Sequence, residues 1–164
     1  MKKIIRISLT ILLVILIVIQ FIKPVKNTSG SVANDITTKY IVPDTVMHTL
    51  KTACYDCHSN HSEYPWYWSF QPVAWFMNGH INNGKRHLNF SDFTSYNLWR
   101  QYKTLEEIND EVKSGDMPIT SYKLIHADAH LSGKQKADIQ NWVAVTRKEL
   151  ENKYPADSLK KPKK

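Results

Sequence analysis

Apolar residues fall into separate blocks along this chain, and each block has its own period. The first is continuous. From Ile7 to Ile22 only Ser8, Thr10 and Gln20 interrupt the run, and Lys2, Lys3 and Arg6 precede it. A basic flank before such a run fits either a membrane anchor or a signal peptide. The run exceeds the usual signal core, its one small-x-small site (Ser31-Val32-Ala33) lies well beyond it, and no cysteine closes it for lipid attachment. An uncleaved transmembrane helix over residues 1–22 is therefore the first expectation, with a cleaved leader as the alternative. The three leading cations keep the amino terminus in the cytoplasm and put the rest on the periplasmic, outer face.

Four later blocks repeat at helical spacing. Pro43-Asp44 opens one, with Asp44 as N-cap and Val46, Met47, Leu50 and Ala53 on one face. Gln71-Pro72 opens a second, which shows Val73, Phe76, Met77 and His80 or Ile81 at helical intervals and stops at Gly84. Thr104-Leu105-Glu106-Glu107 reads as a capping box for a third, burying Leu105, Ile108 and Val112 and ending at Gly115. Ser132-x-x-Gln135 starts a fourth, with Ile139, Trp142, Val143 and Leu150 on one stripe as far as about Asn152. Strand signals are weak throughout. The pattern predicts an all-α domain over 43–153, joined to the anchor by a polar, flexible linker over 23–42. Residues 154–164 lack apolar periodicity and read as a disordered basic tail.

A net charge of +7 would suggest nucleic acid if it lay on the domain. It lies elsewhere. Residues 1–42 hold six Lys/Arg against Asp35, and residues 154–164 hold four Lys against Asp157, whereas 43–153 hold 12 Lys/Arg and 13 acidic residues. Nucleic acid is thus not an expected partner. The cations serve membrane topology and a tail suited to anionic lipid or an acidic protein.

The chain's two cysteines stand in one five-residue string, Cys54-Tyr55-Asp56-Cys57-His58. This C-x-x-C-H spacing is the signature of covalent c-type haem attachment. Two thiols add across the two vinyl groups of one porphyrin, and the adjacent imidazole is then held beneath the iron. A thioredoxin-like pair would need a βαβ context, which is missing from the pattern. A zinc site would need further ligands, and the suitably spaced His126-x-x-x-His130 lies far along the chain.

An amino-terminal helix running into C-x-x-C-H, a Met117-Pro118 pair in a late loop and a closing helix with Trp142 resemble the class I cytochrome c plan. The soluble part resembles the bacterial "haem-binding domain" family more closely. The carrying residues are Cys54 through Asn60, Tyr64-Pro65-Trp66-Tyr67, Pro72-Val73-Ala74-Trp75, His80, Gly84-Lys85-Arg86, Leu88-Asn89-Phe90-Ser91, Met117-Pro118 and His126, over about residues 45–150. The resemblance implies a periplasmic mono-haem protein in a redox setting, since the family's domain also occurs beside other cytochrome and peroxidase domains.

On this reading one haem c is bound through Cys54 and Cys57, with His58 as proximal iron ligand. Met117 is the expected sixth ligand and His80 the alternative. Met47 and Met77 read as packing, and His48, His87, His126 and His130 as surface or supporting groups. Trp66, Tyr67, Trp75 and Arg86 are the candidate pocket residues, the aromatics shielding the macrocycle and Tyr67 and Arg86, with Lys85, meeting the propionates. The expected function is electron transfer to or from an envelope redox partner rather than enzymatic turnover. A five-coordinate haem that senses gas or peroxide, or acts as a peroxidase-type enzyme, is the alternative, and the sixth ligand separates the two.

Overall fold

The computed structural model describes residues 1–162, and among these there are helices and turns but no strand. The α-helices are α1 (Lys2–Ile19), α2 (Asp44–Ala53), α3 (Tyr55–His58), α4 (Val73–His87), α5 (Leu98–Ser114), α6 (Thr120–Lys123) and α7 (Gly133–Lys153). Short 3-10 turns join them. The expected all-α fold is present.

The core forms where three apolar stripes meet. Leu105, Ile108 and Val112 of α5 pack against Ile139, Trp142, Val143 and Leu150 of α7, and α2 adds Val46 and Leu50. Phe90 and Phe93 close it from the turn Phe90–Ser95, both with 1 % or less of their surface exposed. The Trp142 indole N–H donates to the Ile41 carbonyl at 3.1 Å, which ties the last helix to the approach to α2.

Helix ends follow local chemistry. Ser132 and Gln135 form the expected reciprocal capping box on α7. Gly115 closes α5 at φ 85°, a left-handed conformation that favours glycine. The box expected at Thr104 does not form. α5 begins about two turns earlier, where the Asn97 side chain accepts from the Arg100 N–H, and Thr104 is buried within the helix. Asp44 is the first residue of α2 rather than its cap.

The apolar amino-terminal run does not form the expected transmembrane helix. α1 stops at Ile19 and contains three cations, so its uncharged stretch from Ile7 rises only about 20 Å against a hydrocarbon core of about 30 Å. Among the described residues no helix is long and apolar enough to cross a membrane. None of its residues is buried.

The stretch 23–42, read as a flexible linker, lies along the domain. Ile36 is fully buried, Tyr40 nearly so, and Asn27 is a hub. Its side-chain amide donates to the Ser59 carbonyl and Ser62 Oγ, each at 2.9 Å, while Lys85 Nζ donates to its Oδ1 at 2.6 Å. The basic tail is also partly folded: Ala156–Leu159 forms a turn and Leu159 joins the core. Its last lysines, Lys163 and Lys164, lie outside the described residues.

Candidate functional site

Cys54 is the N-cap of α3, and Cys57 and His58 lie in its single turn. The Cys57 and His58 N–H groups both donate to the Cys54 carbonyl, at 3.2 and 2.9 Å. Both cysteines are free thiols. Burial, and for Cys54 the neighbouring Cys57, pushes its thiol up to about 12; burial and Asp56 push Cys57 up to about 11. Neutral thiols of this kind do not suit a thiolate redox pair.

Tyr55, Asp56 and His58 of the string are each held from outside it. The Tyr55 ring stacks on Phe90 with centroids 5.0 Å apart. Asp56 accepts from the Tyr122 hydroxyl at 2.7 Å and from the Glu63 N–H at 3.0 Å. His58 Nδ1 lies 3.0 Å from the Leu88 carbonyl oxygen. A carbonyl only accepts, so this contact puts the ring proton on Nδ1 and leaves Nε2 with the lone pair that a metal would require. Burial lowers the His58 pKa against the opposing pull of the Leu88 and Gly84 carbonyls. The ring therefore favours the neutral form that metal ligation requires.

Gly84 does not stop its helix as expected, since α4 continues to His87. A Cβ at this position would lie 2.6 Å from the Cys57 carbonyl oxygen. The missing side chain is what lets α4 press onto the motif. The Leu88–Ser91 stretch then braces the residues after it: Asn89 Nδ2 donates to Asn60 Oδ1 at 2.9 Å, and the Asn60 N–H donates to Ser91 Oγ at 3.1 Å.

Beside Cys57, α3, α4 and the 119–126 segment enclose an apolar cleft. It holds about 600 Å³, counting the part open to solvent. The stripe Val73, Phe76, Met77 and His80 of α4 faces this cleft instead of the core. Phe76 and Ile125 on its walls are 56 % and 60 % exposed, so apolar surface is left without protein to cover it.

Of the sequence-derived candidates, Cys57, Tyr67 and His80 line the cleft. Cys54 and His58 are half-buried on the adjoining turn and are not among its walls. Met117 is half-buried in the loop before α6 and does not line the cleft, although Ile119 two residues on does. Trp66, Trp75 and Arg86 lie outside it. Trp66 is 77 % exposed, the Trp75 indole N–H donates to the Ile22 carbonyl at 3.0 Å, and Arg86 donates to Asn83 Oδ1 at 3.0 Å. Lys85 is engaged with Asn27.

Sequence reasoning passed over Met77, Tyr122, Ile125 and His126 as cleft residues. The visible signal was Ile119, Tyr122 and Ile125-His126 at intervals of three and four in a segment too short to read as a helix. The Tyr122 and His126 rings stack 4.0 Å apart. Burial and the bond to Asp56 raise the Tyr122 pKa far above its ordinary value. His126 and His130 do not assemble a zinc site, as no cluster of three or more His, Cys, Asp or Glu suited to a metal occurs among the described residues.

The resident group implied by this motif can be tested against the site. Two free thiols, a histidine with its Nδ1 already engaged, and an uncovered apolar cleft bordering Cys57 fit a covalently held porphyrin. A model of the haem-binding domain family matches residues 14–145. No curated protein and no solved structure shows a significant match.

Proposed function

The chain belongs to the haem-binding domain family, and on that premise we propose that it is a mono-haem c-type cytochrome that transfers electrons at the outer face of a membrane. The carrying observation is that Cys57 of the Cys54–His58 string lines an apolar cleft, with Nδ1 of the neighbouring His58 engaged by the Leu88 carbonyl. Each thiol would add its S–H across a vinyl group: sulfur bonds to the inner carbon, the hydrogen goes to the outer one, and no oxidant is consumed. Haem c supplies a one-electron iron couple when bound. The chain supplies capture through Cys54 and Cys57, one ligand through His58, and an apolar wall from Val73, Phe76, Met77 and Ile125. Attachment to lipid rests on α1, none of whose residues is buried and whose apolar side chains from Ile4 to Val18 are exposed.

Met117 remains the proposed sixth ligand, because its loop delivers Ile119 to the cleft wall and Pro118 stiffens the approach. A second reading is favoured by one observation: His80 itself lines the cleft. If neither side chain binds iron, the open position fits a gas or peroxide ligand. Spectra of the purified protein, made in cells with intact c-type maturation, separate these readings. Thioether ligation gives a far-red charge-transfer band in the ferric state and resistance to carbon monoxide in the ferrous state. Bis-histidine ligation resists carbon monoxide without that band. Free carbon monoxide binding by the wild type overturns the electron-carrier reading.

A further inference from the structure

Large aromatic side chains stand in the open beside the end of α1. Trp66 is 77 % exposed, Phe70 55 %, Phe76 56 % and Trp75 40 %. Trp66 and Phe70 pack edge to face with centroids 6.0 Å apart, so they present one surface. That surface is fastened to α1. The Gln71 N–H donates to Gln20 Oε1 at 2.9 Å, and Gln20 Nε2 returns a bond to the Gln71 carbonyl at 3.3 Å. Gln71 Nε2 and the Trp75 indole N–H both donate to the Ile22 carbonyl, at 2.7 and 3.0 Å. Phe21 and Ile22, between these ties, are 85 % and 56 % exposed. The apolar helix and the aromatic patch are therefore one continuous uncovered surface.

We propose that the patch of Trp66, Phe70, Trp75 and Phe76 seats on the lipid bilayer, holding the domain against the membrane with the cleft rim at the lipid surface. The inference rests on the reading that α1 enters lipid. Bonds at both Gln20 and Ile22 hold the patch beside the helix, so whatever covers the end of α1 meets the patch as well. Tryptophan and phenylalanine are at home at the depth where headgroups meet acyl chains, and the exposed Lys23 follows directly for anionic headgroups. Phe76, next to Trp75 in α4, is exposed and also lines the cleft, so seating the patch on lipid would bring the cleft mouth to the same surface.

The test uses the full haem-loaded chain with vesicles of phosphatidylcholine and phosphatidylglycerol that carry a lipid with a diazirine near its headgroup. After flotation and irradiation, adducts are mapped by mass spectrometry. Label in residues 65–77, several-fold above that in α7, is expected together with label in α1. The double substitution Trp66→Ser, Phe70→Ser should reduce adducts at Trp75 and Phe76 several-fold while the protein still floats. Floating protein labelled in α1 alone overturns the docking and leaves attachment through α1 standing. Protein that does not float overturns both. An unlabelled patch in protein of doubled mass in detergent overturns the lipid assignment in favour of a second copy of this chain.

Discussion

Nδ1 of His58 lies 3.0 Å from the carbonyl oxygen of Leu88, the residue that caps α4. The orientation of the imidazole therefore depends on how closely α4 approaches the motif, and Gly84 sets that approach against the Cys57 carbonyl. Gly84→Val should lower both haem content and stability, by about 2–3 kcal/mol, because the clashing atom is backbone and cannot swing away. Gly79 on the same helix has no atom within 4 Å of an added Cβ, so Gly79→Ala should gain about 0.5–1 kcal/mol. Urea midpoints of the two variants against wild type decide it, and equal shifts would remove Gly84 from this role.

Asn27 should behave as part of the domain. Its side chain bonds Ser59, Ser62 and Lys85, so Asn27→Ala should cost about 2 kcal/mol and speed proteolysis within residues 23–42. Asn27→Ala at wild-type stability would return this stretch to the role of a free tether.

Alkaline pH should destabilise the protein through its buried tyrosines. Burial raises Tyr40 to about 12, and burial with the Asp56 bond raises Tyr122 further. A pKa raised in the folded state contributes stability that is full below the unfolded value of about 10 and is lost as pH rises past it. Ultraviolet titration should show a tyrosine class that resists ionisation beyond pH 10 until the chain unfolds. Tyr122→Phe should remove one member of that class and cost about 1–2 kcal/mol at neutral pH, as Asp56 loses a partner. Complete ionisation near pH 10 with the fold intact would contradict this.

The sixth ligand separates by substitution. If Met117 binds iron, Met117→Ala should lose the far-red band, admit carbon monoxide and fall in reduction potential, because a soft thioether favours ferrous iron. If His80 binds, those changes follow His80→Ala in carbon monoxide access, and the potential rises or holds. Wild-type behaviour in both variants would assign the position to neither.

Much of the fold can be read from the sequence wherever a helix spends its apolar stripe on protein. Ile139, Trp142, Val143 and Leu150 do so on α7, and the Ser132 box sits where its residues point. On α4 the period marks Val73, Phe76 and Met77 as one apolar face, and reading Met77 as packing misses that this face lines the cleft, because periodicity reports an apolar face without saying what covers it. Gly84 looked like a helix stop since close backbone approach leaves no local signal. Asn27 is lost among residues of linker composition, as its partners lie 32 or more positions away in sequence. The helix-to-motif junction is legible as structure, since α2 runs to Ala53 and α3 begins at Tyr55.

The central claim is that one haem is bonded to Cys54 and Cys57, and acid-acetone extraction followed by intact-mass measurement tests it most directly. The account predicts that the colour stays with the polypeptide, whose mass exceeds that of the chain by one whole haem, and that Cys54→Ala with Cys57→Ala abolishes both. Haem that extracts into the organic phase, leaving a chain of unmodified mass, would contradict it.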